Sequence, residues 1–112
     1  VKTIEQWKDE LTEFFRRRPG ASMAEIARLL PDARGERSLC ADQEGTILIW
    51  PDLEQNLVTA LCQMMNSGEI EVRPCHVLIY LIDGCVLQMP IAKQMKRPYK
   101  KTHWLPVTLS LK

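Results

Sequence analysis

The sequence is most informative first in what it lacks. It has no apolar run near the roughly 18 residues that a membrane span requires; the longest candidate, 77–82, is strand-sized. None of its four cysteines (Cys40, Cys62, Cys75, Cys85) forms a C-x-x-C pair, so the usual zinc and redox spacings are missing. Thiols of this kind serve as small hydrophobes in a reducing cytoplasm, and a cytoplasmic protein is expected. There is no phosphate-cradling glycine loop and no H-E-x-x-H helix. Histidine occurs only at His76 and His103. His76 adjoins Cys75, but neighbours on a strand point to opposite faces, so the two would not share a proton there. A site built from Cys75, His76 and Cys85 has poor ligand spacing. The reading is therefore of a non-enzyme, with no catalytic residues, metal or cofactor expected.

Acidic residues are absent from 84–112, which holds six basic side chains; 1–83 holds nine basic and fourteen acidic ones. The net charge of +1 hides this asymmetry. A basic arm beside an acidic body points either to an acidic partner or to pairing within the chain.

What is present reads as one domain of 112 residues, with a core over about 4–82 and a C-terminal arm over 83–112. Ile4, Trp7, Leu11, Phe14 and Phe15 recur at helical spacing over 4–18, behind a Thr3–Gln6 capping box. Arg16, Arg17 and Arg18 close this helix, suited to its dipole or to phosphates. Three large aromatics on one helix exceed what a small core is expected to hold, which points to a homodimer. A second helix over 22–30 starts at a Ser22–Glu25 capping box, and Pro31 stops it. Residues 31–45 are polar and read as an exposed loop, followed by a β-rich stretch at 46–50 that Pro51 closes. A third helix spans 53–67, with Asp52 and Gln55 as its start signal and Gly68 as its left-handed end. Glu69 to Arg73 alternates as a half-buried strand should, and 77–82 supplies the return strand. Leu105, Val107, Leu109 and Leu111 alternate with polar residues and Pro106, as in a strand on a sheet edge.

Two stretches, Ser22-Met23-Ala24-Glu25-Ile26-Ala27-Arg28-Leu29-Leu30 and Leu57-Val58-Thr59-Ala60-Leu61-Cys62-Gln63-Met64-Met65-Asn66-Ser67-Gly68-Glu69-Ile70, give the order a second resonance. The chain resembles a winged-helix (winged helix-turn-helix) domain over about 4–82. The resemblance implies an α+β fold with a three-helix core and a β-hairpin wing at 69–82, tipped by Arg73-Pro74-Cys75-His76. The loop and strand between the second and third helices would be an insertion, and the basic arm would end in the edge strand.

The family hosts both DNA-binding and protein-binding members. On the first use, the chain is a small DNA-binding regulatory or accessory protein. Gln55, Asn56 and Thr59 of the third helix would face base edges. Arg73 at the wing and Lys93, Lys96, Arg97, Lys100 and Lys101 around Tyr99 in the arm would contact phosphates and bases. That helix has no lysine or arginine and begins beside Asp52 and Glu54, which is unfavourable against a polyanion. On the second use, the chain is a protein-protein interaction module, alone or as a homodimer, without nucleic-acid binding. An exposed apolar patch on a mixed surface would mark the second use.

Overall fold

The computed structural model describes residues 1–92 and 100–112. The fold is α+β, with helices α1 (Ile4–Arg17), α2 (Met23–Leu29), α3 (Gln55–Ser67) and α4 (Leu78–Ile82). Strands are β1 (Ala21–Ser22), β2 (Arg34–Cys40), β3 (Ile47–Leu53), β4 (Ile70–Pro74), β5 (His103–Trp104) and β6 (Val107–Leu111). Among the described residues they form two sheets, ordered β1-β6-β4 and β2-β3-β5. Helix α1 packs across α3 and β6, α2 lies against β1, β3 and β6, and α3 bridges β4 and β2.

Local chemistry sets the helix starts. Thr3 and Gln6 exchange hydrogen bonds at the head of α1 (3.1 and 2.8 Å), satisfying two amides that a helix start otherwise leaves open. Most of the apolar stripe of α1 is inside: Trp7, Leu11, Phe14 and Phe15 are buried and Ile4 is half-buried at the helix start. The core therefore holds all three aromatics, and the overflow that pointed to a homodimer does not occur. The second start signal works differently from the expected reciprocal box. Ser22 Oγ accepts from Glu25 N (3.2 Å), but the Glu25 carboxylate pairs with Arg18 (3.2 Å) instead of returning to the cap.

The third start is corrected in position. The cap is Glu54, not Asp52, because β3 runs through Pro51 to Leu53. Strand β3 passes the proline at a bulge: β2 advances two residues from Arg37 to Leu39 while β3 advances three from Leu53 to Trp50. At a bulge the missing proline N–H costs no ladder bond. The Glu54 carboxylate accepts from Asn56 N (2.6 Å) and from Trp7 Nε1 (2.8 Å), so one side chain caps α3 and ties it to α1.

The polar stretch 31–45, expected as a loop, contains β2, paired antiparallel to β3. Only Leu39 of β2 is buried, so the strand has no apolar alternation to reveal it. Its turn is stapled by Asp42, which accepts from Thr46 N (3.0 Å), Ile47 N (2.8 Å) and the Thr46 hydroxyl. Gly35 is dictated by backbone proximity: a Cβ there would stand 2.6 Å from Leu53 O and 2.7 Å from Glu54 Cα.

Two further expectations fail in the second half. Residues 77–82 are not the return strand of a hairpin; they hold α4, and β4 pairs instead with β6, from Ile70↔Leu111 to Pro74↔Val107. A short apolar run without polar alternation fits either a strand or a helix. Here His76 Nδ1 takes the Leu78 amide (3.1 Å) and Leu81 N bonds back to Val77 O (3.1 Å), closing a helical turn. Strand β6 is also not at an edge. It lies between β1 and β4, with Pro106 placed just before the paired residues.

Candidate interaction surface

Among the described residues, those expected to face DNA are dispersed or engaged. Asn56 is half-buried, and its amide donates to Lys2 O (2.9 Å), fastening the N-terminal segment to α3. Thr59 Oγ1 donates back to Gln55 O (3.1 Å), leaving Gln55 as the exposed polar group of the three. The Lys2 ammonium itself turns to α1, lying 4.2 Å over the Trp7 ring and 2.7 Å from Glu10. Arg73 is exposed at the end of β4 and forms a 2.6 Å ion pair with Glu71, whose carboxyl that hydrogen bond holds below its usual range. Both line a polar groove with Thr108 and Ser110, and no α3 residue shares it. Lys100 and Lys101 are exposed on the approach to β5. Lys93, Lys96, Arg97 and Tyr99 lie outside the described residues.

The cysteines are free thiols. Burial, and for Cys75 also the charge of Asp83, pushes the Cys75 and Cys62 thiols up, away from the reactive thiolate. Cys85, read with the other thiols as a small hydrophobe, is exposed. Cys75 and His76 follow β4 and are not strand neighbours. Among the described residues no helix is long and apolar enough to cross a membrane.

The feature that sequence reading missed is the face of α4. Four of its five residues are aliphatic and point outward: Leu78 is 53% exposed, Ile79 37%, Leu81 62% and Ile82 83%. Scattered apolar side chains on a surface are ordinary, but a cluster of large ones is informative. Tyr80 alone turns inward. It is fully buried, stacked between Trp50 (5.3 Å) and Trp104 (5.0 Å, edge-on). Its hydroxyl accepts from Met23 N (2.9 Å) and donates to Val107 O (2.7 Å), so one phenol joins α4 to α2 and β6. Burial above all raises its pKa well beyond the ordinary tyrosine value. A second clamp follows at the helix end. Ser22 Oγ donates to Asp83 Oδ2 (2.6 Å) and Arg28 Nη1 donates to Asp83 O (3.0 Å). Helix α4 is thus held at its centre by Tyr80 and at its C-terminal end by Asp83 while its aliphatic face meets solvent. The one sequence signal was the excess of apolar residues in Leu78-Ile79-Tyr80-Leu81-Ile82, more than one small element can bury.

No family model, curated protein or solved structure matches the chain.

Proposed function

We propose that this chain is a non-catalytic protein-interaction module on a winged-helix-like scaffold, and that α4 is its docking surface. One observation carries the reading: four exposed aliphatic side chains on a helix clamped by Tyr80 and Asp83. A fixed apolar face costs little ordering entropy when a partner covers it, and covering it removes apolar surface from water. The winged-helix resemblance draws support from the sequence order α1-β1-α2-α3-β4-β6 and from the sheet order β1-β6-β4. The DNA-binding use loses support at α3, which has no cation and whose Asn56 is occupied by Lys2.

The test places a photo-crosslinking residue at position 82, with position 5 as an exposed control, identifies the adduct, and titrates the purified partner. The expected result is an adduct specific to position 82 and at least a hundredfold weaker binding by the Leu81→Asp, Ile82→Asp double variant at unchanged melting temperature. An adduct of twice the chain's mass would make the partner a second copy. Tight, salt-sensitive binding of labelled duplex DNA that this double variant retains, with no adduct at 82, would overturn the proposal.

A further inference from the structure

Beyond the C-terminal end of α4 lies a cleft of about 410 Å³ between α2 and β3. That size is within the usual range of small-molecule sites, about 300–1,000 Å³. Helix α2 lines it with two small side chains, Ala24 and Ala27, and Trp50 and Leu87 complete an apolar floor. The β3 wall is irregular. Successive residues of a regular strand face opposite ways, yet Trp50, Pro51 and Asp52 all line the cleft. The bulge at Pro51 and the left-handed backbone of Asp52 (φ 57°) break the alternation. Outside glycine that backbone conformation is uncommon and costly, although aspartate tolerates it better than most residues. Its effect here is to set Asp52 on the same cleft as Trp50.

The charged lining is balanced, with Arg28 and Arg34 against Asp52 and Asp83. One member of each sign is already engaged. The Asp83 carboxylate accepts from the Ser22 hydroxyl (2.6 Å), and Arg28 donates to the Asp83 carbonyl (3.0 Å). The other two are open: the side chains of Arg34 and Asp52 make no hydrogen bond or ion pair among the described residues. They stand on paired strands one step out of register, since Arg34 is opposite Leu53. Paired strands lie about 4.8 Å apart, so the two charges are neighbours that nonetheless do not pair with each other. An apolar floor with one open cation and one open anion complements neither an acid nor a base. It complements a molecule that carries both charges on an apolar body.

We infer that the cleft binds a free α-amino acid with a large apolar side chain. Arg34 holds its carboxylate, Asp52 holds its ammonium, and the side chain lies over Ala24, Ala27 and Trp50. An α-amino acid bears its two charges on one carbon, so it bridges two protein charges that do not reach each other. Both contacts are charge-assisted hydrogen bonds, the stronger kind, and the guanidinium suits a carboxylate in paired geometry. This is a binding function beyond the docking role of α4, and it does not depend on that role.

The test is calorimetry on the intact chain with free leucine, phenylalanine and tryptophan, each beside its N-acetyl and its amide form. At least one free amino acid should bind saturably, and blocking either end should weaken it about tenfold or more, the loss of one charge-assisted hydrogen bond. Asp52→Asn removes the anion while keeping a residue that tolerates the left-handed backbone. It should weaken the free amino acid by a similar factor and leave the N-acetyl form unchanged. Arg34→Gln should weaken the free amino acid too, but leave the amide form unchanged. That crossed pattern follows from the two charges, and a misfolded variant could not produce it. No saturable binding of any of the three, equal affinity for a blocked form, or full affinity in both variants would each overturn the inference.

Discussion

Helices α1 and α4 are both rich in apolar residues, yet they sit in opposite relations to water. In α1 the apolar positions follow the helical period, and four of the five large ones are buried, with Ile4 half-buried. In α4 they occupy every position, and only Tyr80 is inside. A periodic stripe describes a face that the chain covers with itself. A run with no period describes more apolar surface than one core-facing side can use. The difference between them separates residues kept for folding from residues free for another use.

The largest expected effect comes from breaking the buried member of the pair. Trp7→Ala should cost about 3–5 kcal/mol in denaturant unfolding, the usual range for deleting a large core aromatic, and it removes one of the two donors to the Glu54 carboxylate that caps α3. A loss below about 1 kcal/mol would mean that α1 is not seated as described. Next is Tyr80→Phe, which keeps the ring but leaves the Met23 amide and the Val107 carbonyl without their partner. A cost of about 1–3 kcal/mol follows. The phenol's folded pKa is raised, so its contribution is complete below about pH 10, its unfolded value, and is lost as pH rises further. Spectrophotometric titration should find one tyrosine that ionises only as the protein unfolds, and Tyr80→Phe should remove it.

A smaller effect belongs to Asp42. Burial alone would lift its carboxyl, but the bonds from the Thr46 hydroxyl and from the Thr46 and Ile47 amides outweigh it and hold the pKa low. Its stabilising effect is therefore complete above about pH 4 and disappears as pH falls through the lower folded value. Asp42→Asn should lower the urea midpoint at pH 7 and narrow the gap to wild type in more acid solution. An equal gap at both pH values would place the effect elsewhere. The smallest effect is expected on α4 itself: Ile82→Ser should change stability by no more than about 0.5 kcal/mol. A larger loss would turn the aliphatic face into part of the core and erase the contrast with α1.

The sequence made legible those elements whose signal is local. The Thr3 and Ser22 caps, the start signal at Asp52 and Gln55, and the glycine after Ser67 located α1, α2 and α3 to within a few residues. Elements defined by their neighbours were not legible. Strand β2 is polar because it is mostly exposed, so nothing in 34–38 distinguishes it from a loop until β3 lies beside it. The partner of β4 is chosen across more than thirty residues, and the nearer run 77–82 looked equally suitable. The candidate site suffered most. Asn56 offers an amide on paper, but only the fold shows Lys2 already holding it. The cleft near Arg28 and Arg34 joins residues from α2, β2 and β3 that no spacing links.

The central position of β6 has a consequence for synthesis. Ala21 meets Leu109 and Ser22 meets Thr108, so the first strand of this sheet waits nearly ninety residues for its partner β6. Strand β4 waits for the same partner. Until residue 111 clears the ribosome, both carry open edges, and the helices that pack on β6 lack part of their support. Contacts so distant along the chain are closed late and slow the folding rate. The nascent protein therefore passes through an interval with its aliphatic α4 segment and two unpaired strands on display, the kind of exposure that invites misassociation before folding is complete.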